Sequence, residues 1–204
     1  MMQKQKEKKE HSLKLLIRTV VTGPDGKVIH DSGQKPSRSY VIQFLELIRY
    51  FFDGPATGTA TDVTGAESFI YHATWASKDQ ARVDAPINIS TYGIVVGSSN
   101  TAETNTDFKL GTQMTEGTGA GQITHNECTI DAIAAIVGAN VDLVIKRSFT
   151  NNTGALRTVK EVGIYVVMIG QNKFHCLTRD VLGAPIDVPA SCSLTVYYTM
   201  RTTV

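Results

Sequence analysis

The chain has 204 residues, is 42% hydrophobic and 19% charged, and carries a formal net charge of +1, a composition suited to a globular protein that buries a core. That near-neutral balance excludes a general electrostatic attraction to nucleic acid or to an anionic membrane. No apolar run reaches the ~18 residues of a membrane helix, and Lys14 and Arg18 interrupt the stretch after the basic N-terminus, so neither a membrane span nor a signal peptide is expected.

In chain order, residues 1–12 read as a flexible charged arm. Lys4, Lys6, Lys8 and Lys9 alternate with Glu7, Glu10 and glutamines, and almost nothing there can join a core. Such an arm is either solvated or ordered against a neighbouring subunit. Residues 13–53 read as a hairpin followed by a helix. Leu13, Leu15, Ile17, Thr19 and Val21 share one face of a strand, Gly23-Pro24-Asp25-Gly26 is a turn, and Lys27 to Asp31 returns. From Ser39, a suitable cap, to Asp53 there is no helix breaker. The polar residues Gln43, Glu46 and Arg49 recur every third position and form a narrow stripe, while Phe44, Leu47, Ile48, Phe51 and Phe52 are large and apolar. A girdle that wide is either buried by the chain's own sheets or partly an interface.

Residues 54–65 are small, polar and turn-rich, and read as a linker or loop; residues 66–204 read as an antiparallel β-sandwich. Strands are expected at Phe69 to Ala76, which holds the only tryptophan, Trp75, and at Ile87 to Val96. Ser98 to Gly111 is polar and irregular. Ile123 to Val137 is Ala-rich, but the Gly138-Ala139-Asn140 turn that leads into a strong strand favours β over helix.

The last third predicts four consecutive strands. Val141, Leu143, Ile145 and Phe149 define an inward face that Arg147 interrupts. Asn151-Asn152-Thr153-Gly154 suits a hairpin turn. Glu161 to Ile169 is apolar on both faces, as a central strand covered on both sides requires. A Gly170-Gln171-Asn172 turn, a mixed strand from Phe174 to Leu182, and an alternating strand from Ser193 to Arg201 complete the series, with Leu194, Val196, Tyr198 and Met200 inward. The fold class expected is therefore mainly β, an antiparallel, jelly-roll-like sandwich with one hydrophobic N-terminal helix.

The search for chemistry finds structural readings instead. Gly117-Thr118-Gly119-Ala120-Gly121 lacks the strand-to-helix context and the Lys-Ser/Thr pair of a phosphate loop. His11, His30, His72, His125 and His175 are scattered, with no two at metal-ligand spacing. Asp131, Asp180 and Glu161 are isolated carboxylates, and Glu161 with Lys160 reads as a surface or turn salt pair. Cys128, Cys176 and Cys192, odd in number and unrelated in spacing, read as reduced thiols of a protein made in the cytosol; a Cys176–Cys192 pair stays open. No catalytic residue, cofactor or metal site is expected, and the chain reads as no enzyme.

A series of phrases then carries a likeness. Gly93-Ile94-Val95-Val96-Gly97, Gly119-Ala120-Gly121-Gln122-Ile123-Thr124 and Ser148-Phe149-Thr150-Asn151-Asn152-Thr153-Gly154 occur in order. Val159 to Tyr165, Leu177 to Leu182 and Ser193 to Thr199 follow. From Tyr92 onward, about half the chain resembles β-rich structural proteins encoded in the virion-assembly regions of tailed bacteriophages and related prophages. Lys27-Val28-Ile29 and Ser37 to Leu45 are similar to the N-terminal part of some of them. The resemblance implies a repeated, non-enzymatic virion subunit made in the host cytoplasm and incorporated in the particle, in the head decoration, the collar or connector, or the tail. Its partners would be copies of itself and other virion proteins, with no nucleic acid and no membrane. The contact residues expected are Lys4, Lys6, Lys8 and Lys9 of the arm and Phe44, Leu47, Ile48, Phe51 and Phe52 of the helix. The alternative is a receptor- or glycan-binding sandwich of a tail fibre, with Trp75 and Tyr71, or Tyr92 and Asn88, as an aromatic platform for a host-surface glycan.

Overall fold

The computed structural model describes residues 12–37, 40–53, 58–70, 81–131, 135–168 and 172–203. Among them are thirteen strands and one helix: β1 (Ser12–Thr22), β2 (Val28–Asp31), β3 (Lys35–Pro36), α1 (Ile42–Asp53), β4 (Gly58–Thr61), β5 (Glu67–Ile70), β6 (Ala81–Arg82), β7 (Gly93–Gly97), β8 (Thr124–Ile130), β9 (Ala135–Val137), β10 (Asn140–Thr150), β11 (Arg157–Met168), β12 (Lys173–Val188) and β13 (Ser193–Thr203). The protein is mainly β, and every pairing between these strands is antiparallel.

One sheet runs β2-β1-β13-β10-β8, with β3 also on β1 and β9 also on β10. The opening hairpin is thus built into the same sheet as the last strand: β1 pairs with β13 from Ser12↔Thr203 to Thr22↔Ser193 without a register shift. The hairpin turn forms where Gly26 supplies a φ of 80° and Asp25 accepts the Lys27 N–H at 3.1 Å. The second sheet is built on β11, which pairs with β12 on one side and with β7 and β6 on the other. As its two-sided apolar sequence requires, β11 is buried continuously from Glu161 to Met168. β4 and β5 form a separate hairpin, so Gly58–Thr61, expected within a linker, is a strand.

The inner faces of the two large sheets share one apolar cluster. Val21, Ile145, Phe149, Leu194, Val196 and Tyr198 come from the first, and Ile94, Val96, Val159, Val162, Ile164 and Ile186 from the second. Each such side chain contributes about 1.5–3 kcal/mol on burial. The segment Asn151 to Gly154 is not the hairpin turn expected of it. β10 and β11 belong to different sheets, and the segment carries the chain across the edge of the core. Buried Asn151 makes that crossing rigid: its side-chain N–H groups donate to Ala155 O and Val188 O, both at 2.7 Å, and its Oδ1 accepts from the Thr153 N–H and hydroxyl. β12 is longer than its sequence suggests. It bulges between Val181 and Ile186, where β11 advances only from Glu161 to Val159.

The helix begins at Ile42, three residues after the expected cap, Ser39, which lies outside the described residues. Before it, Tyr40 bridges to Thr178 and the Val41 N–H donates to Leu177 O at 3.1 Å, so this stretch is held extended on the edge of β12. That docking sets the rotation of the helix. Gln43 and Leu47, one turn apart, point inward, whereas Ile42 and Leu45 are 49% and 64% exposed. The polar stripe of Gln43, Glu46 and Arg49 therefore does not coincide with the solvent face: Arg49 is exposed and Glu46 partly so, but Gln43 is buried, and Ile42 and Leu45 stand in the water.

Candidate functional site

Of the contact residues expected on the helix, Phe44 is half-buried and stacked on Tyr40, with ring centroids 4.0 Å apart, and Ile48 is half-buried. Leu47 is used inside the chain, packed with Ala60, Val166 and Met168, and offers no surface. Phe51 and Phe52 belong to α1, but their side chains lie outside the description, as do Lys4, Lys6, Lys8 and Lys9 of the arm.

A larger apolar feature lies elsewhere. Residues opposite each other in an antiparallel sheet share a face, and so do residues two apart along a strand. Register therefore places Leu13, Thr202, Val141 and Ile136 in one row across β1, β13, β10 and β9. The next rows on the same face are Leu15, Met200 and Leu143, then Ile17, Tyr198, Ile145 and Ile130. Tyr198 and Ile145 are in the core. Moving outward, the face stays apolar while its cover ends: Leu13 is 59% exposed, Ile136 80% and Ile130 41%. The core-facing side of this sheet thus runs on as an uncovered apolar shelf.

Two buried arginines organise the loops. Arg147, which breaks the apolar pattern of β10, is 1% exposed. Its guanidinium donates to backbone carbonyls alone: Asn126 O at 2.8 Å, Tyr92 O at 2.9 Å, Ile94 O at 3.0 Å, Ile89 O at 2.5 Å and Pro86 O at 3.4 Å. It nails the 86–94 segment to the sheet. Burial lowers its pKa. Next to it, His125 is fully buried, edge-on to Phe149, with Nδ1 2.9 Å from Ile123 O and Nε2 unpartnered. Burial, reinforced by the Arg147 charge, pushes His125 down to about 4.

Arg179 lies on the far side of β11, in β12. Its Nε donates to Glu161 at 2.9 Å and its Nη1 to Asp107 at 2.6 Å. Glu161 is 0% exposed, so it is not the surface partner of Lys160; the lone carboxylate in a buried strand is satisfied from across the sheet. It also accepts the N–H groups of Ser99, Gly111 and Thr112. Burial works to raise the Asp107 carboxyl, but the bonds from Thr104 and Arg179 outweigh it and hold it below its usual value. Sequence reasoning missed Arg179 and Asp107, because nothing in their spacing ties them to Glu161. The one usable signal was Glu161 itself, a charge at the head of a strand that is apolar on both faces, which must find a partner once buried.

The bulge of β12 opens a cleft of about 620 Å³ against β1 and β3, lined by Ile17, Thr19, Lys35, Asp180, Leu182 and Ile186 among others. Asp180 is committed there, accepting from the Ser37 hydroxyl at 2.8 Å and the Tyr198 hydroxyl at 2.8 Å. Tyr92 is half-buried, packed on the core and stacked with Phe174, so it does not form an open platform with Asn88; Trp75 and Tyr71 lie outside the described residues. Cys128, Cys176 and Cys192 are unpaired and buried. Among the described residues no three His, Cys, Asp or Glu side chains are grouped to hold a metal ion. The chain matches no protein-family model, and comparison with curated proteins and with solved structures likewise gives no match.

Proposed function

We propose that this protein is a non-enzymatic structural subunit of a tailed-phage virion, in head decoration, collar or connector, or tail, working through contacts with copies of itself and with other virion proteins. It is made in the host cytoplasm and then incorporated. On this proposal the two large sheets form a jelly-roll-like sandwich, a reading supported by their common apolar cluster and by the pairing of β1 with β13.

The observation that carries the assembly reading is the apolar shelf. Leu13, Ile130 and Ile136 continue the core-facing side of the seven-stranded sheet into solvent, and Ile42 and Leu45 add exposed apolar surface on the helix. A contiguous apolar face is costly in a monomer and favourable under a neighbour, at about 25 cal/mol per Å² buried. A subunit used many times in a symmetric particle recovers that cost at every copy.

Light scattering across a concentration series tests it. The wild-type chain should associate, and Ile136→Asp combined with Leu13→Asp should return it to a monomer with an unchanged circular dichroism spectrum. A wild-type chain that stays monomeric at every concentration, alone and with purified particles, would reject the reading.

A further inference from the structure

The segment from Ser98 to Gln113 has no strand or helix of its own, yet it covers the outer face of β11 and β12. Beneath it lie Val95, Tyr165 and Cys176, each at most 1% exposed, closed over by Leu110 and by Val41 at the helix entrance. Its ends meet, the Ser98 N–H donating to Thr112 O at 2.8 Å, as in a compact Ω-loop.

What holds it down is concentrated. One carboxylate, Glu161, takes backbone N–H groups from both ends of the segment: Ser99 at 3.2 Å, Gly111 at 2.9 Å and Thr112 at 2.8 Å. Arg179 ties that carboxylate to the middle of the segment through Asp107 and through Thr101 O at 2.8 Å. The fit is close, since a Cβ on Gly97 would lie 2.5 Å from Glu161 Oε1, and one on Gly111 2.5 Å from the Ser99 hydroxyl. The segment also reaches the helix: Asn105 O accepts the first helical N–H, that of Ile42, at 2.8 Å.

We propose that residues 98–113 form a latch. They open as a unit when the Glu161–Arg179–Asp107 triad is broken, uncovering the apolar face of β11 and β12 and releasing the start of α1, while the core between the sheets stays closed. The triad is the only ionic anchor of the segment among the described residues. The other described contacts that hold it are neutral hydrogen bonds, the packing of Leu110 and the Phe108 ring against Gly65.

The three cysteines make the proposal measurable. Cys176 lies under the latch, whereas Cys128 and Cys192 belong to the core between the sheets. Alkylation of the native full chain, followed site by site by mass spectrometry, separates local opening from global unfolding. Cys176 should react faster than Cys128 and Cys192 in the wild type. Asp107→Asn, which leaves Arg179 paired with Glu161, should raise the Cys176 rate roughly two- to fivefold. Glu161→Gln should raise it about 100-fold or more, because it removes a buried charge partner. Neither variant should change the ratio of Cys128 to Cys192. If Cys176 keeps pace with the other two in the wild type and in Asp107→Asn, the segment moves only when the whole chain unfolds and there is no latch. Should Glu161→Gln fail to fold, the mild Asp107→Asn variant decides by itself.

Discussion

Arg147 and Arg179 are buried to the same degree and do similar work, each holding an irregular segment against a sheet, but they are satisfied in opposite ways. Arg147 gives every N–H to a neutral carbonyl, and no carboxylate stands within ion-pair distance among the described residues. Arg179 is paired with two carboxylates. A cation held by carbonyl dipoles keeps its partners at any pH at which the backbone is folded, because carbonyls do not titrate. A cation held by carboxylates loses them when they protonate. The segment at 86–94 is therefore tied to Arg147 by groups that do not titrate, and the strap at 98–113 is tied to Arg179 partly through the ionised Asp107 carboxylate.

The largest expected effect comes from Arg147. Arg147→Met leaves several buried carbonyls without donors and should cost about 4–5 kcal/mol of unfolding free energy in a denaturant titration. Arg147→Lys should recover only part, since one ammonium cannot reach so many carbonyls. Glu161→Gln should cost about 3 kcal/mol, because Arg179 retains Asp107. If it proved costlier than Arg147→Met, the comparison between the two sites would be reversed.

Next comes acid sensitivity near Arg147. The folded protein holds His125 at about 4 against an ordinary 6.5, and burial lowers His175 as well. The unfolded chain binds these protons more readily. Stability is thus fully present above pH 6.5 and is lost as pH falls towards 4. For His125 the loss is on the order of 2–3 kcal/mol. His125→Asn, which keeps a donor for Ile123 O but cannot titrate, should flatten the pH 6.5 to 4.5 part of the curve; an unchanged slope would assign the sensitivity to His175. The smallest effect is that of Asp107→Asn, under ~1 kcal/mol at neutral pH. Its depressed pKa places the stability it supplies above the ordinary carboxylate range, to be lost as pH falls below it. Differential scanning at pH 7 and pH 3 should therefore show wild type and variant converging in acid.

Much of the fold was legible because period-two patterns need no tertiary context. β1, β10, β11 and β13 stand where Leu13 to Val21, Val141 to Phe149, Glu161 to Met168 and Leu194 to Met200 predict. The opening turn was legible for the same local reason, since Gly26 alone meets its backbone demand. The partners of those strands were not legible. A strand looks the same whether the next one pairs with it or crosses to the other sheet, and so Asn151 to Gly154 read as a hairpin turn. The helix existed in the sequence, but its rotation did not: the pattern of Gln43, Glu46 and Arg49 said which residues are polar, and the docking of Tyr40 and Val41 on β12 decided that Gln43 goes in and Leu45 out.

The charged residues divide along the same line. Alternation determined that Arg147 lies on the inward face of a strand, because it interrupts an apolar run, whereas Glu161, next to Lys160 at the start of its run, read as a surface or turn salt pair and is buried only in the assembled sheet. Which groups would satisfy them depended on loops brought from 18 to 62 residues away in the chain, as in the bonds of Glu161 with Arg179 and Ser99. Local sequence sets the propensity and the face of a strand within a few residues; satisfaction of a buried charge is a long-range condition that only the assembled sheets and loops can meet.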